Sequence, residues 1–486
     1  MWDAENAAFG RGVEVETLMD QAGAGVAHTV AEFFPNPGTC VVFAGKGHNG
    51  GDALVAAERL KRAGWKIEVC LAFGADDCSE LTRKKLDAVR RVDRGSSIGS
   101  PTTKTLNSRP PLIVLDGLLG LGAKPPLRGP IRAACREINQ LRQEKSAYVF
   151  AVDIPTGLDG DSGKIDRDGV IADFTVTIGF AKRGLVADGA LDFIGRLEVV
   201  TLHELRPPEK KAKEIVACPP ALHGLLPRRK YSAYKNQFGR IGVVAGSKGF
   251  IGAALMSSQG ALRAGAGLVE VFVPEEIYPI VAAAAAQEAM VKPVKSYRDL
   301  LKEKIDVWAV GPGLGKTRAA EVLELIERAK QPMVIDADGL NILAEKISTL
   351  RQCKGGRLLT PHPGEMERLF PGKKETRAET ATKFCNRFSV TLLLKGSRTI
   401  VAERNRPLSY NTTGNPGMAS GGMGDVLTGV CAALAGQGLS LYDVGRLGAW
   451  ICGRAAEIAV FGGGQSKQSL LARDVLDHLG VAFNEL

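Results

Sequence analysis

Short β-rich runs alternate with helical patterns along this chain, and the alternation stops and restarts once. Strands separated by helices make βαβ units, and such units close into parallel, doubly wound sheets. In the first series the expected strands are 40–45, 66–73, 112–115, 148–153 and 173–178, with a helix over 53–63. A second series begins at Phe238, with strands at 240–245, 269–273, 307–310, 333–336, 358–360 and 391–395 and a small-residue helix over 252–264. Between them, 206–235 is rich in Pro and Lys, includes Pro207-Pro208 and Pro219-Pro220, and shows neither period. No fixed-period repeat relates the two series. The chain therefore reads as two different α/β domains, 1–210 and 236–486, joined by a linker and lead-in segment over 211–235. Its 486 residues exceed one ordinary core, which agrees.

A net charge of +10 favours anionic ligands. The local basic runs are Lys210-Lys211-Ala212-Lys213 and Arg228-Arg229-Lys230. No aromatics interleave them, so they read as solvated linker and not as a nucleic-acid face. Nine Cys and six His include no CxxC, no HxxxH and no paired ligand spacing. Reduced thiols in a cytoplasmic protein are the expectation. The N-terminus lacks a basic region followed by an apolar stretch, and no apolar run is long enough to span a membrane.

The segment Asn415-Pro416-Gly417-Met418-Ala419-Ser420-Gly421-Gly422-Met423-Gly424-Asp425 precedes a helical run over 426–434. A glycine turn that opens a helix aims unpaired N–H groups at one spot, at the positive end of the helix dipole. That is an anion site. A carboxylate beside a bound phosphate would be repelled, so Asp425 reads as an acid–base residue for a substrate hydroxyl, with an ordinary helix cap as the bland alternative.

In the first domain, Gly45-Lys46-Gly47-His48-Asn49-Gly50-Gly51-Asp52 follows a strand and opens a helix, matching G-x-G-x-x-G in spacing and context. Asn49 and Asp52 add side-chain oxygens that a dehydrogenase loop does not need. Asp116-Gly117-Leu118-Leu119-Gly120-Leu121-Gly122 and Asp153-Ile154-Pro155-Thr156-Gly157-Leu158-Asp159 also sit at strand C-terminal ends. In a doubly wound sheet these ends share one edge, so the three loops converge on one crevice. Asp116 and Asp153 as simple turn caps are the alternative.

In the second domain, Gly311-Pro312-Gly313-Leu314-Gly315-Lys316-Thr317 misses a Walker A loop by one residue, because only three residues separate Gly311 from Gly315. It reads as a glycine turn against a substrate. Asp336-Ala337-Asp338-Gly339-Leu340-Asn341 could serve a metal or cap a helix. Thr360-Pro361-His362-Pro363-Gly364-Glu365 holds a His between two stiffening prolines. Lys395-Gly396-Ser397-Arg398-Thr399 offers cations and hydroxyls to a nucleotide phosphate, or is a basic turn.

The blocks GKGHNGGDALVAAERL, LDGLLGLG and AVDIPTGLDGDSG, in this order over about 1–205, resemble the NAD(P)H-hydrate epimerase domain, a Rossmann-like fold. That resemblance implies that His48, Asn49, Gly50, Gly51 and Asp52, with Gly120, Leu121, Gly122, Ala123, Lys124, Pro125 and Pro126, hold the hydrated nucleotide. It further implies that Asn49, Asp116 and Thr156 surround a potassium ion, and that Asp153 contacts substrate; the chemistry of epimerisation needs a carboxylate to shuttle a proton, and Asp153 reads as that group. His48 stands where the family more often has Asn. The order GSKGFIGAALMSSQGALRAGAGLV, AVGPGLG, DADGLN, TPHPGE, KGSRT and NPGMASGGMGD is similar to ADP/ATP-dependent NAD(P)H-hydrate dehydratase, a ribokinase-like fold. It implies substrate contacts at Ala254, Gly315, His362 and Asp425, with Asp425 catalytic. Lys395, Gly396, Ser397, Arg398, Thr399 and Gly424 would hold ADP with Mg²⁺. Tyr234-Lys235-Asn236 replaces the usual His-Lys-Gly.

The resulting expectation is a bifunctional nicotinamide-nucleotide repair enzyme. It would act on NADHX and NADPHX, use ADP as fused microbial members generally do, and form a homo-oligomer, with no nucleic-acid or membrane partner. The alternatives are a small-molecule kinase of the hydroxymethyl-pyrimidine or thiazole type with a separate binding domain, and a dinucleotide-sensing scaffold in the first domain. A sensor has no need of the carboxylates Asp116 and Asp153.

Overall fold

The computed structural model describes residues 1–92, 108–206, 212–372, 375–462 and 464–486; Pro207-Pro208 and Lys210-Lys211 lie outside them. The chain divides into two compact units, Met1–Lys211 and Ala212–Leu486.

The first unit is built on six strands: β1 (Thr39–Ala44), β2 (Lys66–Leu71), β3 (Leu112–Gly117), β4 (Tyr148–Val152), β5 (Phe174–Ile178) and β6 (Arg196–Val200). Their order is β2-β1-β3-β4-β5-β6, and every neighbouring pair is parallel. β1, β3 and β5 are buried along their whole length, as parallel strands covered on both faces must be. The chain leaves β1 for β2 on one side and returns to β3 on the other. The loops after β1 and β3 therefore diverge and leave a crevice at the C-terminal edge of the sheet.

The second unit carries β7 (Glu214–Ala217), β8 (Arg240–Val244), β9 (Leu268–Pro274), β10 (Ala289–Val294), β11 (Val307–Val310), β12 (Met333–Ile335), β13 (Arg357–Leu359), β14 (Thr391–Leu394), β15 (Ile400–Ala402) and β16 (Leu408–Asn411). They lie in the order β10-β9-β8-β11-β12-β13-β14-β15-β16-β7. The sheet is parallel from β10 to β14, antiparallel across β14, β15 and β16, and parallel again where β7 joins β16. Helices Ile251–Arg263 and Met423–Gly436 cross at close range. A Cβ on Gly429 would sit 2.0 Å from the Ser257 carbonyl oxygen, and one on Gly260 would sit 2.5 Å from that of Val426.

Two expectations are corrected here. Several strands stop one residue short, so that Gly45, Asp153, Asp336, Thr360 and Lys395 begin loops and do not end strands. For Asp153 the cause is plain: its φ of 68° is left-handed and takes it out of the ladder. The segment 211–235 is also more than a linker. Glu214–Ala217 adds an edge strand, Tyr410 Oη donates to Glu214 Oε1 at 3.0 Å, and Thr412 Oγ1 donates to the Ala217 carbonyl at 2.8 Å. Four residues are too few to display a strand period, and the adjoining prolines conceal the pairing. Among the described residues no helix is long and apolar enough to cross a membrane.

Candidate functional sites

In the first unit, β1 runs into Gly47, which is extended and caps helix His48–Arg62 without a side-chain hydrogen bond. The first N–H groups of the helix are thus left for a ligand. Gly50 and Gly51 are demanded by packing. A Cβ on Gly50 would meet the Gly45 carbonyl oxygen at 2.1 Å, and one on Gly51 would meet Met19 Cε at 2.5 Å. His48 is exposed, and Asn49 lies against Gly120, whose Cβ would stand 3.2 Å from the Asn49 amide carbon.

Asp116, fully buried at the end of β3, latches two loops together. Its Oδ1 accepts from Thr156 Oγ1 at 2.7 Å and from the Leu118 N–H at 3.3 Å, while Oδ2 accepts from the Thr156 N–H at 2.8 Å. The Leu119 N–H completes the latch by donating to Thr156 Oγ1 at 3.1 Å. Burial pushes the Asp116 carboxyl up to about 6, against the opposing pull of Thr156 and Leu118. The Asn49 Nδ2 atom beside this latch is buried and lacks a partner.

Asp153 follows β4 directly. Its N–H donates to the Val176 carbonyl at 2.9 Å, and its Oδ1 accepts from the Ile178 N–H at 3.1 Å and Thr177 Oγ1 at 3.4 Å. Lys182 Nζ also donates to Oδ1. A cavity of about 480 Å³ on the Lys182 side of this pair is lined by Leu121, Gly122, Ala123 and Lys124 from the expected loop. Trp2, Phe180, Lys182 and Arg183 line it too, and sequence reasoning passed over all four. Asp52 faces the same acids: burial, then Asp153 and Glu5, push its carboxyl well above the usual range, with Lys182 opposing.

In the second unit, helix Met423–Gly436 starts at Gly422 (φ 89°), again with no side-chain cap. A Cβ on Gly424 would lie 3.2 Å from Lys395 Nζ and 3.3 Å from Asp336 Oδ2, so the glycine loop rests on an ion pair. Lys395 Nζ donates to Asp336 Oδ1 at 2.7 Å, and Thr428 Oγ1 donates to Asp336 Oδ2 at 2.9 Å. Burial works against the Lys395 ammonium, but Asp336 and Glu365 outweigh it and hold its pKa above the ordinary lysine value. Asp425 is pushed up to about 6 by burial and by the neighbouring charge of Asp336, with Lys395 opposing. A carboxylate poised there can take a proton from a hydroxyl near neutral pH.

The remaining expected residues divide. The Gly315 N–H donates to Asp338 Oδ2 at 2.8 Å, which fixes the glycine turn after β11. His362 caps helix Pro363–Leu369, its Nδ1 accepting from the Gly364 N–H at 3.0 Å, while its side chain stays half exposed. Ser397 and Gly396 are exposed, whereas Arg398 is buried beneath them. Ala254 is fully buried with its Cβ near Gly246. Asp336 belongs at the centre. Its position at a strand end was the signal, but two roles, metal or cap, competed for it.

Each unit is similar to a known family. Residues 15–184 match the family described as YjeF-related protein N-terminus, and 241–475 match the NAD(P)H-hydrate dehydratase family. Bifunctional NAD(P)H-hydrate repair enzymes are similar along nearly the whole chain. The one from Moorella thermoacetica is 34% identical, with 96% of this chain and 92% of the relative covered. The one from Coxiella burnetii is 33% identical, with 99% and 98% covered. An ADP/ATP-dependent NAD(P)H-hydrate dehydratase from Bacillus subtilis, co-crystallised with ATP and Mg²⁺, superposes with a TM-score of 0.50 at 26% identity, over 55% of this chain and 97% of that one. A ribokinase-like superfamily protein from Enterococcus faecalis gives the same TM-score at 24% identity and shows the fold alone.

Proposed function

Since the chain belongs to the family of bifunctional NAD(P)H-hydrate repair enzymes, we propose how its two sites divide the work. The first unit interconverts the (R) and (S) hydrates. Loss of the ring hydroxyl is assisted by the lone pair of the ring nitrogen, and return of water to the other face restores it. Asp153 moves the proton, and the cavity lined by Leu121–Lys124 keeps the ring in place. The second unit acts on the (S) hydrate with ADP. Asp425 takes the hydroxyl proton, the oxygen attacks the β-phosphorus of ADP, and AMP leaves. Loss of phosphate from the phosphorylated hydrate then gives NADH or NADPH. The carrying observation is Asp425 set beside the Asp336–Lys395 pair, under a glycine loop whose helix N–H groups are uncapped.

The donor set in the first unit fits a potassium ion. Asp116, Thr156 and Asn49 supply hard oxygens. The unpartnered Asn49 amide can be turned over to aim its carbonyl at a cation. These three residues would hold the ion, which would balance the buried Asp116 charge and brace the two loops. Mg²⁺ bound to nucleotide phosphates asks only one or two carboxylates of a protein, and Asp336 is at hand. It would neutralise phosphoryl charge. Lys395, the exposed Gly396-Ser397 turn and Gly424 form the face offered to ADP.

The test is absorbance at the reduced-nicotinamide band with hydrated NADH, comparing ADP with ATP. Regeneration of NADH with ADP is expected. A phosphorylated product that accumulates without NADH would select the kinase reading and overturn this one.

A further inference from the structure

Lys182 lies four residues past β5, is 7% exposed, and spends its ammonium on three acceptors. These are Asp153 Oδ1, Thr177 Oγ1 at 3.0 Å and the Ile178 carbonyl at 2.8 Å. A lysine has three donors, so all are used. The partners of Asp153 are lopsided in consequence. Oδ1 takes Lys182, Thr177 and the Ile178 N–H, while Oδ2 has no hydrogen-bond partner among the described residues. The Asp153 backbone, held at a φ of 68°, turns the side chain out of the strand direction at this point. A non-glycine residue stays in that region only where its surroundings fix it.

We propose that Lys182 is the positioning residue of the epimerase site: it pins one oxygen of Asp153 so that the other alone meets the substrate hydroxyl. The inference rests on the reading of Asp153 as the proton-moving group. The acid that faces the pair is Asp52, from helix His48–Arg62, which Glu5 of helix Trp2–Phe9 reinforces. Without Lys182, the Asp153 side chain would be free to turn. A lysine with every donor engaged is a poor proton donor itself, so its action runs through Asp153.

The experiment measures epimerisation in the full chain, above the spontaneous rate, with Lys182→Met, Lys182→Arg and Asp153→Asn. Lys182→Met is expected to lower kcat by roughly ten- to a hundredfold with KM nearly unchanged. Lys182→Arg, which keeps the charge, should recover most of the loss. Near-normal kcat in Lys182→Met, or a loss that falls on KM with kcat unchanged, would overturn the proposal. If Lys182→Met fails to fold, Thr177→Val decides. It removes one bond to Lys182 and one to Asp153 Oδ1, both of which hold that oxygen, so a smaller kcat loss with KM unchanged supports the proposal, and an unchanged kcat overturns it. Full activity in Asp153→Asn alone would instead remove the reading on which the proposal stands.

Discussion

At the scale of single residues the account turns on carboxylates whose surroundings set their charge. Asp425→Asn keeps the shape of the side chain and removes the proton acceptor. No side chain caps helix Met423–Gly436, so no cap is lost with it. The dehydration step should slow by roughly two to four orders of magnitude, while ADP affinity, read by calorimetry, should hold or tighten. Equal loss of both would show a structural role. The pH dependence has a definite sign. Asp425 must be ionised to accept a proton and is held at about 6, so dehydration should fall as pH drops through that value and level off above it. A rate unchanged down to pH 5 would contradict this. Residues of this kind were legible in the sequence from where they stand: Asp116, Asp153 and Asp336 at strand ends that lead into glycine-bearing loops, and Asp425 in a glycine turn that opens a helix. Lys182 was not legible, because it lies 29 residues beyond its partner and only the pairing of β4 with β5 brings the two together.

At the scale of elements, small residues carry the architecture. Gly260 and Gly429 let two helices touch backbone to backbone, and Gly429 lies one turn from Asp425. Gly429→Ala has no room for its methyl and should destabilise the second unit by about 1–3 kcal/mol, with loss of dehydration. A melting temperature equal to wild type would contradict the packing. Helix Trp2–Phe9 offers a separate test. Trp2 is 62% exposed on the wall of the first cavity, while Trp65, Trp308 and Trp450 are buried. Nucleotide binding there should quench the emission of Trp2, and Trp2→Phe should abolish the response. The strands that end in functional loops were readable from their β-rich runs. Helices Val15–Phe33 and Leu441–Phe461 were not, because no motif marks them and the second is buried almost all round, which erases amphipathic contrast. The edge strand β7 escaped for its shortness.

At the scale of the whole molecule, each unit has its own sheet and core, so the units should act separately. The cut that respects the sheet falls near Ala212, before β7, and a start near residue 225 would strip the edge from β16. A fragment from Ala212 should therefore convert the (S) hydrate with ADP and leave the (R) hydrate to its spontaneous rate. The two-series pattern of strands carried this division in outline, and the pairing of β7 moves its boundary. The most direct test of the division of labour uses the intact chain. A mixture of both hydrates is followed with ADP at the reduced-nicotinamide band, for wild type and Asp153→Asn. Wild type should consume both epimers in one fast phase. Asp153→Asn should consume the (S) fraction at the wild-type rate and the remainder only as fast as it epimerises unaided. A variant that clears both epimers as fast as wild type would contradict the account.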